Sequence, residues 1–403
     1  MSRTSASPVS ARTLLVALAV VLVLVRIAMA WLLIHDSQSF WRDHAVVGDL
    51  LRWRRIARAH GVPYRDVPIE YPPLTWAVSQ AFGIGSVHTA VTALVWSQLG
   101  LDLLVAIGLL YGWGRSSALA YLAIGLTMTI WPFVYMRLDL LPVVLVTWAL
   151  AVLRRARPTL AGVGLALATF AKIWPVVLMP LLVARREYRA AVAMAITGAI
   201  GLTAWIAWGG TGAPGEVLTF RHAPGWQIES TIGSIVRAVG TGVVRVEAGA
   251  WRVGRVGTVG AVVPGVALVV LVVVAAWLLG RVPDASPDLA DGVAGLAVVA
   301  ASLACASIFS PQYAVWLLPF AAIAAAGRRW LPAALAALVC ALSSVAMWEY
   351  LPVVRGSFGA EVVVFTRNAT VVALVITTLV VLARAGRQRP APVPPSEPAT
   401  MAS

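Results

Sequence analysis

Residues 48–74 read GDLLRWRRIARAHGVPYRDVPIEYPPL, the longest polar passage before residue 209. It follows an apolar run from Leu14 to Ile34 that is long enough to cross a bilayer. It also holds Asp49, Asp66 and Glu70, in a chain with only 17 acidic residues among 403. Carboxylates this scarce, gathered beside a membrane span, mark where chemistry is to be sought. The middle, Asp49 to Arg58, has helical periodicity. At about 100° per residue, Leu50, Trp53, Ile56 and Ala57 share one face, and Arg52, Arg54, Arg55 and Arg58 fill the other. Such a helix is expected to lie in the headgroup plane, with its arginines among lipid phosphates. Asp49 stands at its start, where a negative charge is favoured. Gly61-Val62-Pro63-Tyr64 then breaks the helix, and Glu70-Tyr71-Pro72-Pro73 turns the chain back toward the membrane.

The rest of the chain reads as a membrane scaffold for this passage. Hydrophobic residues make up 60% and charged residues 12%, with a mean hydropathy of +0.86. A soluble domain carries about twice that share of charge. Apolar spans recur near 87–112, 117–135, 140–153, 159–184, 190–208, 257–279, 292–309, 312–326, 331–349 and 367–383. The run 159–184 is interrupted by Lys172 and Pro175, so it is expected to cross twice as two short broken helices. That gives an all-α, polytopic integral membrane protein of about 12 transmembrane helices.

The net charge of +14 is almost entirely arginine, since Lys172 is the sole lysine. No basic soluble domain exists to carry nucleic-acid binding, which is excluded on that ground. The arginines instead sit between apolar spans. With the N-terminus inside, Arg115, Arg154–Arg157, Arg185–Arg189, Arg281, Arg328–Arg329 and Arg384–Arg389 all fall on the cytoplasmic side. The expected layout is a cytoplasmic tail 1–12, a transmembrane catalytic domain 13–385 and a Pro-rich cytoplasmic tail 386–403. Loops 35–71, 209–256 and 350–365 would lie outside. Long loops obey the positive-inside rule weakly, and phosphate-bearing ligands would give their arginines other work. Arg26 within the first apolar run, and the lack of a small-residue cleavage site, argue for a retained helix rather than a removed leader. Cys305 and Cys340 both lie in apolar runs and read as small core residues.

Several isolated polar signals fall on the same outer side. Asp49, Asp66, Glu70 and Tyr71 are in the first loop, and Arg137 with Asp139 is at a helix end. Arg221, His222, Gln227 and Glu229 come from FRHAPGWQIES, and Gln312 with Tyr313 begins a later span. Lys172 lies between the two half-helices. Together these suit transfer of a group from a membrane-bound phosphate carrier. A carboxylate takes the proton from an attacking hydroxyl, and cationic groups stabilise the departing phosphate. A pump or channel would scatter its ionisable groups at mid-membrane. A transporter or flippase of lipid-linked sugars is the rival reading; it predicts inverted repeats, and none is visible.

The opening passage resembles the first outer loop of glycosyltransferase family 87, through Asp49, Trp53, Pro63 to Asp66 and Glu70 to Leu74. MRLDLLPVVLVTWALAVLRRARPTLAGVGLALATFAKIWPVVLMPLL (136–182), GWQIESTIGS (225–234) and FSPQYAVWLLPF (309–320) resemble the same family, in family order. The resemblance implies a GT-C-type fold and an inverting transfer of a hexose, mannose being expected. The donor would be a polyprenyl phosphate sugar, and the acceptor a hydroxyl of a lipid-linked glycan or glycolipid. It implies a catalytic Asp in the first outer loop, carried onto Asp49, with Asp43, Asp36 and Asp66 as alternatives. Lys172, Arg137, Arg221 and His222 are expected at the donor phosphate. Asp66, Glu70, Tyr71, Asp139, Gln227, Glu229, Gln312 and Tyr313 are expected at the substrates. No metal or cofactor is expected, and the site would face away from the cytoplasm of a plasma-membrane enzyme. Asp102, alone in an apolar span, is expected to bond a neighbouring helix.

Overall fold

The computed structural model describes residues 11–35, 44–129, 132–220, 222–240, 242–282, 284–348 and 350–387. The expected alternatives Asp36 and Asp43 lie outside the described residues, as does Arg221. The fold is all-α and polytopic. Seven helices are long and apolar enough to span a bilayer: Arg12–His35, Val87–Trp113, Tyr188–Gly209, Gly257–Gly280, Asp288–Cys305, Trp330–Trp348 and Phe358–Arg387. Four shorter apolar helical segments complete the bundle with Arg115–Thr129: Leu140–Arg154, Pro158–Ala171, Trp174–Ala184 and Pro311–Ala326. Among the described residues this makes twelve helical segments in the bundle.

The short segments shape the site. At about 1.5 Å per α-helical residue and 2.0 Å per 3-10 residue, they span roughly 19–28 Å, less than the ~30 Å of a hydrocarbon core. One end of each reaches a basic rim. Arg154 donates to Gly112 O (2.8 Å), Arg155 to Tyr111 O (2.8 Å), and Arg329 to Asp288 (2.7 Å). Buried Asp291 gathers Arg185 at 2.5 Å, Trp113 at 3.0 Å and Arg154 at 3.5 Å. The other ends stop short and leave a depression. Close packing lets the short helices stand together: a Cβ on Gly162 would meet Ala190 O at 2.2 Å, so glycine there permits backbone contact between neighbouring helices.

Two expectations are corrected. The segment 350–365 is not a loop but a short helix, Tyr350–Arg355, followed by the first turns of Phe358–Arg387. Its polar residues look loop-like in sequence but are used in packing: Glu361 pairs with Arg237 at 2.9 Å, and Arg237 also donates to Val353 O and Val354 O. The amphipathic helix, His44–Arg58, buries Leu50, Trp53 and Ile56 as its periodicity requires. Arg54 is buried too and is not among headgroups. It donates to the carbonyls of Phe82, Ile84, Gly85 and Ser86 at 2.7–3.3 Å, because the helix docks on the 81–86 turn through this guanidinium.

Asp102 does bond its neighbours. It pairs with buried Arg26 at 3.0 Å and accepts from Tyr121 and Tyr135 at 2.5 and 2.8 Å. Removing one partner of a buried ion pair leaves an uncompensated charge, at a cost of about 3–5 kcal/mol. Asp102→Ala is therefore expected to lower the thermal unfolding temperature in detergent sharply, and the double change Arg26→Leu with Asp102→Leu to restore much of the loss. Equal loss in both variants would count against the pair as the cause.

Candidate active site

The depression above the short helices is one cavity of about 970 Å³. Asp49 reaches it because its helix is fixed from below by Trp53 and from the side by Arg54. The Asp49 carboxylate is about one-third exposed and pairs with the buried Arg137 guanidinium at 3.3 Å. The Glu-Tyr-Pro-Pro turn forms the adjoining wall. Glu70 accepts both arms of Arg52, at 3.2 and 3.1 Å, and Arg52 also donates to Pro68 O. Tyr71 meets Trp53 edge-on, and Tyr64 donates to Tyr71 O at 2.8 Å. Pro73 then opens the helix Pro73–Gln80, where its missing N–H costs nothing.

Lys172 stands at the break between half-helices. Pro158–Ala171 ends there, Lys172 takes an extended conformation, and a 3-10 turn begins at Trp174. Thr75 donates to the Ala171 carbonyl, one of those the break leaves without a helical partner. The ammonium lies 3.2 Å from Asp139, which also accepts from Trp316 at 3.0 Å. Its other side faces the Tyr313 ring at 4.5 Å. Tyr313, Trp316 and Trp174 are stacked in series, at 4.4 and 5.4 Å, and make this wall rigid. The cavity floor thus carries Asp49, Arg137 and Lys172, whereas Asp139, expected at the substrates, does not line the cavity and is buried behind Lys172 as its counter-ion.

The third wall is the turn 227–230 with the start of Pro311–Ala326. Gln227 donates to Ser310 Oγ at 2.8 Å, and Gln312 is buried against the cavity. Glu229 lines the cavity though only 1% exposed. Its turn is held by Arg367 and Asn368, which both donate to its backbone carbonyl. His222 sits at the rim, largely exposed, 3.3 Å from Glu216. Asp66 is not brought into the cavity. It accepts from the Val62 N–H at 2.8 Å and from Arg65, both of which hold its carboxyl below the ordinary range. That assignment as a substrate ligand is corrected: Asp66 closes the Gly61–Asp66 turn. Among the described residues, no group of three or more His, Cys, Asp or Glu side chains is placed to hold a metal.

Sequence reading missed Arg52, Trp316, Arg367 and Asn368. The last two carried a signal, a polar pair inside the apolar run VVVFTRNATVVAL. Arg52 and Trp316 carried none, since their roles depend on partners distant in the chain.

Burial pushes the Glu229 carboxyl from 4.5 up to about 7, against the opposing pull of Arg367, Arg237 and Arg252. A carboxyl raised on folding contributes stability that is complete below its unfolded value and lost as pH rises through the folded one. The loss spans pH 4.5 to about 7 and is on the order of 3 kcal/mol. Glu229→Gln should therefore match the native protein at pH 4 and exceed it in thermal stability at pH 8. Unchanged stability at pH 8 would contradict this burial cost.

Residues 70–311, more than half of the chain, match glycosyltransferase family 87. Asp49 lies before the matched segment; Glu70, Arg137, Asp139, Lys172, Gln227 and Glu229 lie within it. No curated protein matches the chain. A membrane bundle whose polar residues meet in one cavity, and a match that spans most of those residues, lead to one conclusion: the chain belongs to glycosyltransferase family 87.

Proposed function

We propose that this glycosyltransferase moves a hexose, mannose in our reading, from a polyprenyl phosphate onto a hydroxyl of a lipid-linked glycan or glycolipid. The observation that carries the reading is that Asp49 and Lys172, distant in sequence, line one cavity. A further wall is the apolar stretch Val256 to Leu268 of a helix whose outer face is uncovered, a surface compatible with an isoprenoid chain. The basic rim at the opposite end supports an orientation with that end in the cytoplasm and the cavity facing away from it. A cavity so placed has no access to cytoplasmic nucleotides, which favours a lipid-borne donor.

The acceptor oxygen attacks the anomeric carbon from the side opposite the phosphate. The bond from that carbon to the phosphate oxygen breaks, and its electron pair leaves with the polyprenyl phosphate. Asp49 takes the hydroxyl proton, and the configuration at the sugar carbon inverts. Arg137 orients Asp49 before reaction, while Lys172 and Arg137 meet the charge that develops on the phosphate. Asp139 and the Tyr313–Trp316–Trp174 stack hold Lys172 where that charge appears.

Sugar transfer by the purified protein in lipid, from radiolabelled polyprenyl phosphate mannose to an envelope glycolipid extract, tests this directly. Asp49→Asn is expected to lower the rate by about a thousandfold, as loss of a positioned base does. Lys172→Gln is expected to lower it about 100-fold or more. Full transfer by Asp49→Asn would move the base elsewhere. No transfer by the native protein from any polyprenyl phosphate sugar would reject the donor class and favour transport.

A further inference from the structure

The turn 227–230 holds two buried oxygens with nothing to accept from. Gln227 uses its amide N–H on Ser310, yet its Oε1 has no hydrogen-bond partner, and neither does Oε2 of Glu229. Both side chains are more than nine-tenths buried, and both residues line the cavity. A buried acceptor left unpaired costs about 1–3 kcal/mol, so two in one turn call for an explanation.

The turn is too well anchored for the two oxygens to be a loose end. The Ser230 hydroxyl and N–H both donate to Gln227 O, at 2.8 and 3.0 Å. The Gln227 N–H donates to Ser307 O at 3.1 Å. Arg367, fully buried in the helix Phe358–Arg387, bridges Glu229 O and Phe309 O. Asn368 joins Glu229 O to Ser234. Two segments distant in sequence, 307–310 and the helix Phe358–Arg387, therefore anchor the turn that carries the two acceptor oxygens.

The chemistry of what would satisfy them is specific. A phosphate brings only acceptors and cannot satisfy Gln227 Oε1, and an isoprenoid chain brings neither donor nor acceptor. Arg367, anchored in the helix Phe358–Arg387, already brings positive charge to the Glu229 turn, as do Arg237 and Arg252. A neutral ligand rich in hydroxyl donors fits it.

Resting on the glycosyl-transfer reading, we propose that the turn 227–230 is a sugar-recognition subsite. In it Gln227 Oε1 and the Glu229 carboxyl each accept a hydrogen bond from a hydroxyl of one hexose. The hexose is that of the donor or that of the acceptor; the hydrogen-bond chemistry is the same, and substrate analogues separate the two. Arg367 and Asn368 act as positioning residues through the Glu229 carbonyl.

The test is a substrate-by-variant cycle. kcat/KM is measured for donors and acceptors that each lack one sugar hydroxyl, with native protein, Gln227→Met and Glu229→Met. The methionines keep side-chain length and remove the acceptor oxygen. Glu229→Gln, which retains one such oxygen, is the milder companion and should fall between. One particular deoxy position is expected to cost the native enzyme about 10- to 100-fold and to cost the matched methionine variant nothing. Sensitivity among donor analogues assigns the subsite to the donor sugar, and among acceptor analogues to the acceptor. If native protein transfers sugar but every deoxy position costs all variants equally, the subsite is overturned and the enzyme stands. If native protein transfers no sugar at all, the glycosyl-transfer reading fails and the subsite fails with it.

Discussion

The contact between Lys172 and Asp139, at 3.2 Å, sits where a helix pair is too short to finish crossing the bundle. In a membrane, every backbone group freed by a broken helix must find a partner within the protein. Here Thr75 takes the Ala171 carbonyl, and Asp139 holds both the lysine and the Trp316 N–H. The break, the charge pair and the cavity are three aspects of one constraint. Full-length helices at these positions would fill the depression with apolar side chains. Shortened ones expose helix ends, and helix ends are where polar chemistry is tolerated.

Arginine has two distinct uses in this chain. At the rim opposite the cavity it clusters at helix ends, steadied by buried Asp291 and by Asp288. At the cavity end much of it binds peptide carbonyls. Arg54 collects four, Arg237 two, Arg367 two, and Arg252 donates to Gly225 O. A guanidinium offers five donors in a fixed plane, so one side chain can tie several loop carbonyls together. Those named serve loop architecture, whereas Arg52, Arg55, Arg137 and Lys172 line the cavity.

Rigid loops matter for group transfer, because the reacting atoms must be held within fractions of an ångström of their productive geometry. The wall bearing Lys172 is stiffened by three stacked aromatic rings, and the wall bearing Glu70 by a bidentate arginine. The Asp49 wall depends on a docked amphipathic helix, and the Gln227–Ser230 turn on a buried Arg-Asn pair. Each wall uses a different device. None is the membrane-facing headgroup anchoring that amphipathicity alone suggests for His44–Arg58.

Periodicity and apolar run length by themselves determined the all-helical membrane class, the burial of Leu50, Trp53 and Ile56, and the broken crossing at Lys172. These are local properties, set by side-chain spacing along a helix and by the scarcity of charge. Scarcity also singled out Asp49, Arg137, Asp139, Lys172, Gln227 and Glu229, since a polar residue in so apolar a chain rarely lacks a reason. Tertiary structure decided which of them meet. It placed Asp66 in its own turn, gave Glu70 to Arg52, and turned the 350–365 loop into helix. It also revealed Arg367 beneath the Glu229 turn. The physical reason is range: helix formation is read within a few residues, whereas an ion pair or a clamped carbonyl joins segments a hundred residues apart, through packing that no local pattern encodes.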